Sequence, residues 1–168
     1  MNVADRLTRM AATTERWQLR FSMLALAVMM IVTVTDVTLR YLFNRPIRGA
    51  YDLVEVCLAI FVFNGLPSVF RARKHVTIDV VDHLAPPGVI RIFSMLGDLS
   101  MILVSALIFA AMFAPALQSW QYGDRKLELG LPIFIVWIAV ILGMGGAIVA
   151  AVDVFVRSLI QHSTGAER

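Results

Sequence analysis

The sequence predicts an all-α integral membrane bundle of four transmembrane helices, with a short amphipathic helix at the membrane surface between spans two and three. Three observations predict it. Of 168 residues, 59% are hydrophobic and only 16% are charged, where about 25% charge is usual for a soluble domain. Mean hydropathy is +0.77. The apolar residues gather in four blocks, each long enough to cross a hydrocarbon core of about 30 Å with about 20 helical residues. A membrane β-barrel would show alternating segments of about 10 residues, and this sequence has no such alternation. The same figures exclude a disordered tail and, with the single cysteine Cys57, a disulfide scaffold. The 15 basic residues lie mostly between the apolar blocks, which marks them as topology determinants rather than a nucleic-acid footprint. Residues 1–168 thus read as one membrane domain whose first partner is the lipid bilayer.

Span one is expected over about 19–43, around the apolar centre Phe21–Val37. Its basic N-terminal flank resembles a signal peptide, but the apolar stretch exceeds a normal signal core. It is followed by Asp36, Arg40 and Arg45 rather than a small-residue cleavage site, so an uncleaved span is expected. Span two is expected over about 50–70 and contains Cys57, which reads as a small apolar filler, and the lone mid-span amide Asn64. Between spans two and three, Val76, Ile78, Val80, Val81 and Leu84 interleave with Asp79, Asp82 and His83. That segment is too short to cross and too apolar for a free loop. An interfacial helix over about 76–87, ended by Pro86-Pro87, suits it; a surface loop is the alternative.

Span three is expected over about 89–120 and span four over about 131–160, long enough to require tilt or an interfacial first turn. Pro67 and Pro115 lie inside spans, where membrane helices tolerate proline at the cost of a local kink. Trp17, Trp120 and Tyr122 fall at block ends, the usual place for interfacial anchors. Gly143, Gly145, Gly146, Ala147, Ala150 and Ala151 form a small-residue stripe on span four. Such a stripe permits close helix approach, within the bundle or against another subunit.

Orientation follows from the basic residues. Arg6, Arg9, Arg16, Arg20, Arg71, Arg73, Lys74, Arg91, Arg157 and Arg168 share one side, against Arg40, Arg45, Arg48, Arg125 and Lys126 on the other. The richer side faces the cytoplasm, so both termini are expected there.

The ionisable residues gather near the span ends. Asp36 and Arg40 stand four apart on span one, at a depth that Asp52 and Glu55 share on span two; an interhelical pair of Arg40 with Glu55 or Asp52 is expected. At the other end Asp153 and Arg157 stand four apart on span four, with Asp98 on span three and arginines at a similar level. Ion relays place acids along a path through the midplane, and these spans carry no charge there. Structural pairing is therefore the expected role of the carboxylates. No catalytic residue, cofactor site or metal site is expected: no GxxxxGK loop occurs, and His75, His83 and His162 have no cysteine or acidic partners at ligand spacing.

Three stretches carry a family resemblance. RYLFNRPIRGAYDLVE (Arg40–Glu55) resembles the first-hairpin signature of the small membrane subunit of tripartite ATP-independent periplasmic (TRAP) transporters. RARKHVTIDVVDHLAPP (Arg71–Pro87) is similar to that family's basic patch, His-x-x-x-Asp element and double proline, and QYGDRKLELGLPIFIVWIAVILG (Gln121–Gly143) to its loop before the last span. The matching positions are Arg40, Phe43, Asn44, Pro46, Glu55, His75, Asp79, Gly130 and Pro132. Tyr51-Asp52 stands where the family often has Glu-Glu, and Asn64-Gly65 interrupts a usually more apolar centre.

The resemblance implies a scaffold subunit in the bacterial inner membrane. It would work beside a large, sodium-coupled permease subunit that moves organic acids delivered by a periplasmic substrate-binding protein. Arg45, Arg48, Asp124, Arg125 and Lys126 are the residues this topology would offer to that periplasmic partner. The competing readings are a membrane anchor of a redox enzyme, which would need haem-ligating histidines within spans, and a self-sufficient small exporter.

Overall fold

The computed structural model describes residues 3–72 and 87–164. Among them the fold is four helices, α1 (Val3–Phe43), α2 (Ala50–Arg71), α3 (Pro87–Tyr122) and α4 (Ile133–Thr164), and each contains a stretch long and apolar enough to span a membrane: Ala12–Phe43, Ala50–Arg71, Phe93–Tyr122 and Ile133–Ser158. Alternate helices run in opposite directions. One end of the bundle therefore carries the short connections 44–49 and 123–132 (the hairpin end), and the other carries both termini.

The helices extend beyond the apolar blocks. α1 continues to Val3 over 41 residues, because Val3–Arg20 contains no glycine or proline and is rich in good helix formers. Of the interfacial segment expected over 76–87, only Pro87 is described. It opens α3, a first-turn position where its fixed φ and missing N–H cost nothing. His75 and Asp79 lie outside the described residues. Pro67 and Pro115 both sit inside unbroken helices.

α4 is the centre of the packing. It lies against α2, α3 and α1, while α3 packs chiefly on α4. The core gathers Phe70, Met112, Val140, Met144, Ala147, Ala150 and Ala151. Small and polar side chains are prominent among those the helices turn inward. The protected face of α1 runs through Gln18, Ser22, Ala25, Met29, Val32 and Asp36, a 3.6-residue period. Met23, Leu24, Met30, Ile31 and Val34 point outward. This inverts a soluble helix, as expected where lipid is as apolar as leucine and association depends on close packing and hydrogen bonds.

Those bonds are present at mid-depth. Ser22 Oγ donates to the Phe61 carbonyl at 2.8 Å. Gln18 Nε2 donates to that of Leu142 at 2.8 Å. Asn64 Nδ2 donates to Ile60 within its own helix and, at 3.4 Å, to Ala139 on α4. Gly143 faces the α2 backbone so closely that a Cβ there would lie 2.8 Å from the Phe63 carbonyl. The small-residue stripe of span four thus serves packing inside the bundle, with Gly143, Ala147, Ala150 and Ala151 all buried.

Candidate functional site

Among the described residues, polar contacts cluster at the hairpin end, which is built by three acids that hold backbone. α1 stops at Phe43 because Asn44 turns left-handed (φ 51°), a conformation asparagine tolerates better than most residues. Its N–H returns to the Arg40 carbonyl at 3.1 Å, and Pro46 follows. Asp36 captures the chain beyond this turn: one carboxylate oxygen accepts the Ile47 N–H at 2.8 Å and the other accepts Arg40 Nη2 at 2.8 Å. α2 then begins after Gly49, whose φ is 79°.

The second connection folds onto this one. Gly123 ends α3, and residues 124–133 form a tight hairpin in which the Lys126 N–H reaches the Leu131 carbonyl at 2.9 Å and the Gly130 N–H reaches that of Lys126 at 2.8 Å. Asp52, in the first turn of α2, accepts the N–H groups of Glu128 and Leu129 at 2.9 and 3.3 Å. Glu128 reciprocates by accepting the Gly49 N–H at 2.7 Å. Lys126 Nζ meets Glu55 at 2.5 Å. A Cβ at Gly49 would lie 2.7 Å from Leu129 Cδ2, so that side chain would have to shift. The φ of 79° is what calls for glycine there, since the Leu129 side chain could shift.

This corrects the expected interhelical pair. Arg40 binds Asp36 on its own helix, not Glu55 or Asp52, because Asp52 is engaged by amides of the second loop and Glu55 by Lys126. It also shows how exposed the residues expected to meet a periplasmic partner are. Lys126 is turned inward with its side chain only 17% exposed, whereas Arg45, Arg48, Asp124 and Arg125 remain exposed. Of the residues that resemble the family motif, Arg40, Phe43, Asn44, Pro46, Glu55, Gly130 and Pro132 all belong to these two loops and their flanks.

At the termini end a second polar cluster ties three helices. Arg71 reaches Glu15 on α1 at 2.6 Å and Asp153 on α4 at 3.5 Å, and Asp153 also accepts Arg157 Nε at 3.1 Å. Asp153 is nearly enclosed, its side chain 6% exposed. Asp98 is half-buried at the start of the α3 span. The sequence reading missed Glu15 and Glu128. Neither stands inside an apolar block, where an acid attracts notice.

Between the two ends, residues 21–35, 56–70, 99–122 and 134–152 contain no charged side chain. Among the described residues no group of acids, histidines and cysteines could hold a metal ion. His162 falls in the last turns of α4, beyond the span ending at Ser158.

The fold and its polar ends define a multi-pass membrane protein whose charged groups fasten helices and loops to one another. Comparison with known proteins places it further. Residues 29–161 match the family of tripartite ATP-independent periplasmic transporters, DctQ component, and the chain belongs to that family. A provisionally named TRAP transporter small permease protein of Haemophilus influenzae is 24% identical over 134 residues, covering 80% of this chain and 76% of that one. No solved structure matches. The chain is thus a small permease subunit of the TRAP type, and that family comprises transporter subunits, not enzymes.

Proposed function

We propose that the chain is the non-conducting scaffold of a secondary transporter that imports organic acids by sodium symport. Its partners in this reading are a large permease subunit and a periplasmic substrate-binding protein. It sits in the bacterial inner membrane with both termini cytoplasmic, which makes the hairpin end periplasmic. The basic residues support that orientation. The exposed Arg45, Arg48, Asp124 and Arg125 would face the binding protein.

The observation that carries the reading is the fate of the acids. Asp36, Asp52, Glu55 and Asp153 are engaged within the chain by arginine, lysine or backbone N–H groups. At the midplane Ser22 and Asn64 are neutral and donate to backbone carbonyls. A coupling-ion path is expected to place ionisable groups at that depth.

The test is to neutralise Asp153 and measure both complex recovery and the sodium dependence of uptake. Removing one partner of a buried pair costs on the order of 3–5 kcal/mol. Asp153→Asn should therefore lower the yield of small subunit recovered with the large one. Whatever complex survives should couple normally. Normal yield with altered sodium stoichiometry would overturn the scaffold reading.

A further inference from the structure

The hairpin end also contains a cleft between α1 and α2 that the loop contacts do not fill. Its volume is about 460 Å³, and Thr33, Asp36, Arg40, Arg48, Tyr51 and Val54 are among the residues that line it. Its depth in the membrane can be read from the exposed aromatic residues at this end, Tyr41, Phe43, Tyr51, Trp120 and Tyr122. Such rings settle at the headgroup level. Arg40 and Arg48 therefore lie at that level. Thr33, seven residues before Arg40, lies about 10 Å deeper along the helix, within the hydrocarbon.

The lining's hydrogen-bonding capacity is one-sided. Asp36 is engaged by the Ile47 N–H and Arg40, and Glu128, also in the wall, by the Gly49 N–H. Arg40 gives Asp36 one of its Nη groups and keeps a side chain 61% exposed. Arg48 is exposed and makes no ion pair within the described residues. The deep wall asks for no polar partner, because the Thr33 hydroxyl is satisfied by the Met29 carbonyl at 2.8 Å. Guanidinium donors at the mouth and apolar wall beneath call for an anion that carries an acyl chain.

We infer that this cleft binds one phospholipid of the leaflet at the hairpin end. Its phosphate is held by Arg40 and Arg48, and one acyl chain lies against Thr33 and Val54. The inference goes beyond the scaffold reading and does not depend on it, since it uses only the cleft and its depth.

Native mass spectrometry of the full-length chain tests it, in whatever complex it is purified, titrated with dioleoyl phosphatidylglycerol. One lipid should be retained. Arg48→Gln should weaken it roughly tenfold, the worth of one charge-assisted hydrogen bond, while Arg45→Gln, outside the cleft, should not. Arg48 has no ion pair to lose among the described residues, so this variant should keep its thermal midpoint in detergent. Thr33→Trp, which leaves every charge in place, should also displace the lipid by filling the acyl wall. Equal retention by the Arg48→Gln and parent proteins would overturn the inference. So would equal weakening by Arg45→Gln, which marks diffuse attraction, or displacement by inorganic phosphate at matched concentration, which marks a soluble-anion site.

Discussion

Asp52 shows how one carboxylate can close a loop. It sits at the start of α2, where a negative charge suits the helix N-terminus, yet its hydrogen bonds go to amides 76 and 77 residues away. Asp52→Ala should strand those two N–H groups and cost about 1–3 kcal/mol. Faster amide exchange at Glu128 and Leu129, with a lower thermal midpoint in detergent, is the expected result; unchanged exchange would show that the hairpin holds its own shape. Glu55 and Lys126 give a second test at this scale. The Glu55 side chain is half exposed, so the pair is worth at most about 1 kcal/mol. Glu55→Lys and Lys126→Glu should each reduce recovery of folded protein through like-charge contact, and the double variant should restore it. An Arg40→Glu, Glu55→Arg exchange should give no rescue, because Arg40 is bonded to Asp36.

At the scale of elements, the helices are joined by what is missing from their surfaces. Gly143 lets α4 approach α2 until backbone meets backbone, whereas Gly145 faces Phe109 with room to spare. A Cβ at 143 would lie 2.8 Å from both the carbon and the oxygen of the Phe63 carbonyl, and one at 145 would lie 3.8 Å from the Phe109 ring. A main chain cannot swing aside as a side chain can. Gly143→Ala should therefore cost about 1–3 kcal/mol, as overpacked sites do, while Gly145→Ala should be close to neutral. Thermal unfolding of the two variants in the same detergent checks the contrast; equal midpoints would mean that the helices can separate at little cost. The interhelical bonds from Ser22, Gln18 and Asn64 are a smaller contribution, about 0.6 kcal/mol each by the average for membrane proteins.

For the whole molecule, the two polar ends do different work. The termini end ties α1, α2 and α4 through Arg71, and the hairpin end ties loop to loop. The proposed orientation is open to labelling. Single cysteines at 124 and 125, in a chain whose buried Cys57 has been replaced by serine, should react with an impermeant maleimide added outside. A cysteine at His162 should react only after permeabilisation. The reverse pattern would overturn the orientation drawn from the basic residues.

The sequence by itself determined the helices and their membrane character, because both depend on local quantities: the length of each apolar block and the cost of leaving backbone unsatisfied in lipid. It also placed the charges at the ends, since depth follows from position along a helix. The inward stripe Gln18, Ser22, Ala25, Met29, Val32 and Asp36 follows a 3.6-residue period, but Met29 and Val32 do not differ in kind from the outward Met30 and Val34, so packing identified that face. Only the tertiary structure decided which acid meets which donor. The four-residue spacing put Asp36 and Arg40 on one helix face, but depth alone favoured Arg40 with Glu55 or Asp52, and the structure pairs it with Asp36. The choice was made by loop 123–132 folding across the start of α2, where its amides reach Asp52 and Glu128 reaches the Gly49 N–H. No property of residues 40–55 alone encodes that approach. It arises because α4 packs beside α2 and brings the second hairpin with it.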